Sequence, residues 1–135
     1  MANSLTLKGQ EYMLHGTSSD GGFSRLATKL KLYTSASTPA KDGTGFTEVA
    51  NGNGYTTGGI AIVRANWTLE LDSGNNRIRL ANQVWTASGG SIANIAGVFA
   101  TDASDNVLAW WERSSPITIA SGDTFTADSL YIKPT

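Results

Sequence analysis

The chain carries one histidine, His15, and no cysteine, so a histidine-based catalytic triad would have to use that imidazole. A Ser-His-Asp or Cys-His arrangement needs the histidine to take the nucleophile's proton, and no nucleophile-elbow motif accompanies His15. It reads instead as a helix-end or surface residue. Without thiols there is neither a disulfide framework nor a thiolate metal site. Oxygen ligands remain: Asp102, Asp105 and Asn106 are calcium-binding residue types, but their spacing is not that of a calcium loop. A tight turn, in which short polar side chains bond their own backbone, accounts for them. Glu70, Asp72 and Glu112 are the residue type for glycosidic acid–base chemistry, with no spacing that singles out a pair. Gly52-Asn53-Gly54-Tyr55-Thr56-Thr57-Gly58-Gly59 is glycine-rich like a phosphate loop, yet it lacks the lysine and leads into a strand rather than a helix. Asn66-Trp67-Thr68 matches a glycosylation acceptor. The expectation is a non-enzymatic protein with no catalytic residues, no metal and no cofactor.

The tryptophans are the remaining candidates. Trp67, Trp85, Trp110 and Trp111 are suited either to stacking on sugars or to core and subunit contacts, and the second reading is preferred. Trp110 and Trp111 are adjacent, and neighbours in a strand point to opposite faces. One is therefore expected in the core and the other outward, towards solvent or a partner.

These residues need elements to position them, and composition points to β-structure. Fifteen glycines and 16% charged residues in a chain of 135 describe one turn-rich all-β domain, able to bury about two-thirds of its unfolded surface. The weakly polar surface suits a permanent assembly. A net charge of −1 gives no support to nucleic-acid binding. No apolar run is long enough to cross a membrane, and Met1-Ala2-Asn3-Ser4 does not begin a signal peptide. Neither a membrane nor a nucleic acid is expected as a partner.

The stretch Ser91–Arg113 organises the rest. Residues 92–100 are apolar or small on both faces, which predicts a strand covered on both sides; the turn Asp102–Asn106 then leads into a return strand over Val107–Glu112. Segment Ser4–Gly16 is the one candidate helix, or arm, with Ser4 or Thr6 as cap and Gly16 as a left-handed stop, although Leu5 and Leu7 could equally begin a short strand. Leu26–Thr34 alternates as a half-buried strand. Ser35–Gly59 has no lasting period and is functional, disordered or home to hidden short strands. Ile60–Val63, Trp67–Asp72, a turn at Ser73-Gly74-Asn75, and Ile78, Leu80 and Val84 in continuing period two come next. Ile117/Ile119, Phe125 and Leu130/Ile132 close the series. Eight or nine short strands predict a β-sandwich or jelly roll, one β domain over 1–135 with residues 1–22 as arm and loop and 23–135 as sandwich.

Read in order, Ser4-Leu5-Thr6 and the segment to Leu14, Leu32-Tyr33-Thr34, Gly43-Thr44-Gly45 and Thr47-Glu48-Val49 precede Gly52-Asn53-Gly54-Tyr55. Gly97-Val98-Phe99, Asp102 to Leu108, Pro116-Ile117-Thr118-Ile119 and Gly122-Asp123-Thr124 follow. In this order and spacing, over nearly its full length, the chain resembles a family of small virion structural proteins of tailed bacteriophages; Asn66–Trp85 matches least. The resemblance implies a non-enzymatic virion component made in the host bacterial cytoplasm. A capsid decoration (cement) protein on the expanded head is preferred, binding the major capsid protein and itself as a homotrimer. A tail or tail-fibre component touching the host, or a small glycan-binding module, is the alternative. Leu5, Leu7, Tyr12, Tyr55, Trp110 and Trp111 are the expected partner contacts, with Tyr55 facing outward.

Overall fold

The computed structural model describes residues 6–16 and 22–134. Two helices, α1 (Leu7–Leu14) and α2 (Phe23–Leu26), precede β1 (Lys29–Thr34) and β2 (Ile60–Ala61). A 3-10 turn (Arg64–Asn66) then leads to β3 (Trp67–Asp72), β4 (Asn75–Leu80), β5 (Gln83–Thr86) and β6 (Ile92–Thr101). β7 (Val107–Ile119), β8 (Thr124–Ala127) and β9 (Leu130–Ile132) complete nine strands among the described residues. The fold is all-β and sandwich-like, in antiparallel sheets of four, three and two strands. Two compact units result: Met1–Leu26 with Val63–Asn82 and Asp128–Thr135, and Ala27–Ile62 with Gln83–Ala127.

The second unit holds the sheet β2-β1-β6-β7. β6 is interior to it, and Gly97 to Thr101 are buried without a break, as a strand covered on both faces requires. β1 was expected to be half-buried, but Leu30 through Tyr33 are all buried. Lys31 achieves this by laying its aliphatic stem along the sheet, with Nζ 5.7 Å from the Phe99 ring centre and 3.0 Å from Asp105 Oδ1. The helical turn of α2 takes Leu26 out of the expected strand and leaves it exposed. Segment 35–59 carries the hidden pairing: Tyr33 bridges to Glu48, the Thr34 N–H donates to the Thr47 carbonyl and the Val49 N–H to the Leu32 carbonyl. β5 and β8 pair through Trp85 opposite Phe125, both buried.

In the first unit, β3, β4 and β9 form the sheet. Ser73 and Gly74, both at positive φ (51° and 80°), make the two-residue turn that joins Asp72 to its partner Asn75. Trp67, Ile78, Leu80 and Leu130 are buried, with Phe23 edge-on to Trp67 at 5.7 Å. α1 ends at Gly16 (φ 65°), whose N–H bonds the Glu11 carbonyl. Its expected cap Ser4 and contact Leu5 lie outside the described residues, as does the side chain of Tyr12. The period expected to run from Leu80 to Val84 breaks at Ala81-Asn82, where the chain leaves one sheet for another; Val84 is exposed and Trp85 turns inward.

Candidate functional site

The pairing of β6 with β7 aligns Phe99 with Trp110 and Val98 with Trp111, so the two tryptophans take opposite faces of the sheet. Neither enters the core: both are half-buried. The reason is position, because β7 is the sheet's edge and its side chains have neighbours on one flank only. Where the register passes from Gly97↔Glu112 to Ile95↔Ile117, β7 carries extra residues and bulges outward with Pro116, which has no N–H to offer an adjoining strand.

On the Trp110 face, Lys31, Tyr33, Phe99 and Gly97 lie side by side in register. Phe46, from the 35–59 segment, caps them: it stacks on Phe99 (4.8 Å, 25° between planes) and stands edge-on to Tyr33 (5.5 Å) and Trp110 (5.7 Å). Gly97 makes room for this cluster. A Cβ there would lie 2.5 Å from the Tyr33 hydroxyl and 2.2 Å from the Trp111 carbonyl oxygen. Tyr33 thus lies across the glycine, with its hydroxyl 3.5 Å from the Trp111 carbonyl it faces. Burial, and secondly the negative charge of Glu112, push the Tyr33 hydroxyl up to about 12.

Tyr55, expected outward, is buried. Its hydroxyl accepts the Leu32 N–H (3.1 Å) and donates to the Glu48 carboxylate (2.7 Å), which also takes the Gly58 N–H (2.8 Å). Burial and the bond to Glu48 raise its pKa. A tyrosine in a polar glycine-rich loop gives no sign of direction; here it closes a buried polar network that the backbone of β1 requires. Leu7 is exposed, with its carbonyl accepting Asn76 Nδ2–H at 2.7 Å.

Apart from Glu112, which is exposed, the candidate chemical residues have internal partners. Asp102 accepts the N–H groups of Ser104 and Asn106 (both 2.9 Å) and the Asn106 side chain, and these bonds, the Asn106 side chain's foremost, hold its carboxyl below the usual range. Asp105 faces away from it, towards Lys31 and Lys29. Glu70 pairs with Arg77 (2.7 Å) and Asp72 with Lys133 (2.7 Å). Thr57 N–H in the glycine-rich stretch bonds Asn51 and Gly58 N–H bonds Glu48, so a carboxylate sits where a phosphate would need free amides. Asn66 Oδ1 accepts the Val63 N–H at the 3-10 turn. His15 Nδ1 lies 3.0 Å from the Ser24 hydroxyl, and Arg64 Nε donates to the His15 carbonyl (2.8 Å). Burial, then Arg64, lower the His15 pKa. Ser24 is wholly buried, out of reach of a substrate. Among the described residues no three His, Cys, Asp or Glu gather around a common point.

Sequence reasoning missed Phe46 and Glu48. The available signal was slight: an aromatic and an acid two residues apart, in a stretch that also holds Asp42 and Tyr55. Comparison with protein-family models, curated proteins and solved structures finds no match to this chain.

Proposed function

We propose that this chain is a non-enzymatic structural protein of a tailed-bacteriophage virion, a capsid decoration protein that bridges shell subunits. The observation that supports this reading is the disposition of β7: a long strand at a sheet edge with half-buried tryptophans on both faces. Tryptophan at a partly exposed site offers a large apolar contact with a polar handle, the residue type that anchors interfaces. Several such contacts on a repeating shell reinforce one another, since each further contact is effectively intramolecular. Tyr55 leaves the list of anchors, because its hydroxyl belongs to the interior; Leu5, Leu7, Tyr12, Trp110 and Trp111 remain.

The test uses purified protein with expanded and precursor shells. Binding to expanded shells, greater heat resistance of those shells and weak binding to precursors are expected. Trp110→Ala or Trp111→Ala should weaken binding while the β-sheet circular dichroism persists. Absence from both shells, with antibody against the chain labelling tails, would transfer the protein to the tail.

A further inference from the structure

Independently of the virion reading, we infer that the second unit carries a binding cleft for a neutral sugar. It is an open cleft of about 370 Å³ between segments 34–36, 49–53 and 91–94, and no charged side chain lines it. Buried Val49 and Ile92 contribute to its lining, with three alanines, a glycine and small polar residues making up the rest. Three asparagines line it: Asn51, Asn53 and Asn94.

Their placement is held by the backbone. Asn94 sits in the bulge where the β6 register slips between Ile92 and Ile95, at φ 56°. Its N–H bonds the Thr118 hydroxyl (3.0 Å) and its carbonyl accepts the Ser35 N–H (3.0 Å), while its side-chain amide is exposed and has no partner among the described residues. Asn53, also left-handed at φ 54°, donates Nδ2–H to the Ser91 carbonyl at 2.9 Å. Its amide lies so close to Gly90 that a Cβ there would meet it at 2.7 Å. Asn51 accepts the Thr57 N–H through Oδ1, and its Nδ2 stays available as a donor. Both left-handed positions are taken by asparagine, which adopts that conformation more readily than other non-glycine residues.

The chemistry selects the ligand. A side-chain amide offers a donor and an acceptor in one plane, matching hydroxyls, which both donate and accept. The exposed methyl groups of Ala36, Ala50 and Ala93 suit the C–H face of a pyranose. Anions such as phosphate need cationic groups that this cleft lacks, and a nucleobase would seek an aromatic platform. An open site with a few hydrogen bonds implies a dissociation constant of about 1 mM.

The experiment is an NMR titration of the whole chain with glucose, galactose, mannose and N-acetylglucosamine, and with dextran as a polymeric source. Glucuronic acid and inorganic phosphate serve as charged controls. The expected result is saturable shifts at the backbone amides of Asn51, Asn53, Ser91 and Asn94 for at least one neutral probe. A monosaccharide response identifies a free-sugar site; a response to dextran alone identifies recognition of a chain. Asn94→Gly keeps the left-handed backbone and removes the amide, so binding should weaken about tenfold with the spectrum otherwise retained. Three results overturn the proposal: no saturable shift with any neutral probe at tens of millimolar, binding unchanged in Asn94→Gly, or shifts centred on Trp110 and Trp111 instead.

Discussion

A methyl group at position 97 would collide with both the Tyr33 hydroxyl and the Trp111 carbonyl, the latter at 2.2 Å. Gly97→Ala should therefore destabilise the protein by about 1–3 kcal/mol, the usual penalty of overpacking, read from denaturant midpoints. Combining it with Tyr33→Phe, which removes one of the three clashing atoms and leaves the Tyr33 ring carbon at 2.7 Å, should be less than additive. Tyr55→Phe leaves the buried Leu32 N–H without its acceptor and should lower stability by about 1–3 kcal/mol; an unchanged melt would mean that water replaces the hydroxyl. The two tyrosines also set an alkaline limit. Burial and Glu112 raise Tyr33 to about 12 from 10.0, so folding favours its protonated form. That contribution is complete below about pH 10 and disappears as pH rises through about 12, with Tyr55 shifted in the same direction. Tyrosinate absorbance for these residues should therefore rise together with loss of the β-sheet circular dichroism signal. An ordinary titration curve with the sheet intact would contradict this. Neither role was legible beforehand, because a loop residue such as Tyr55 has no periodicity to assign its direction, and Gly97 is explained only by the strand beside it.

At the scale of elements, the strands were legible where two signals agreed. Trp67–Asp72 alternates and is closed by Ser73-Gly74, and both the strand and its tight turn are present. Likewise β6 could be read as doubly covered, since apolar residues continued on both faces. Val98→Asp should therefore prevent folding: a carboxylate buried without a partner costs several kcal/mol, comparable to a domain's whole stability. Soluble Val98→Asp protein with an unchanged cooperative melt would show that β6 is not central. Legibility failed where one signal stood alone. The Leu26 and Val84 alternations are locally sound, but a helical turn at Phe23 and a change of sheet after Leu80 alter which side faces inward. The return strand was expected to end at Glu112, yet pairing resumes at Ile117 because β7 absorbs its extra residues in a bulge. Nor does spacing along the chain reveal the cleft, whose walls come from three separate stretches.

At the scale of the whole molecule, the units draw on the chain unevenly. The first uses three separate stretches and the second two. A chain ending at Ala127 lacks β9 and should expose the β4 amides opposite it, from Ile78 to Leu80, to faster hydrogen exchange. The amides of β1 and β6 should keep their protection, since their partners all precede that point. Equal loss of protection in both sheets would show that they open as one cooperative body. The same layout gives synthesis a direction. Domains usually fold as they emerge, the amino-terminal one first. Here the unit containing the amino-terminal helix is the later to be completed: the last strand of the second unit ends at Ala127, whereas β4 still awaits Leu130–Ile132. Until β9 is added, the hairpin of β3 and β4, which needs only its local turn, leaves the β4 edge unpaired as well as the outer edge of β3, and the chain is open to wrong pairing there.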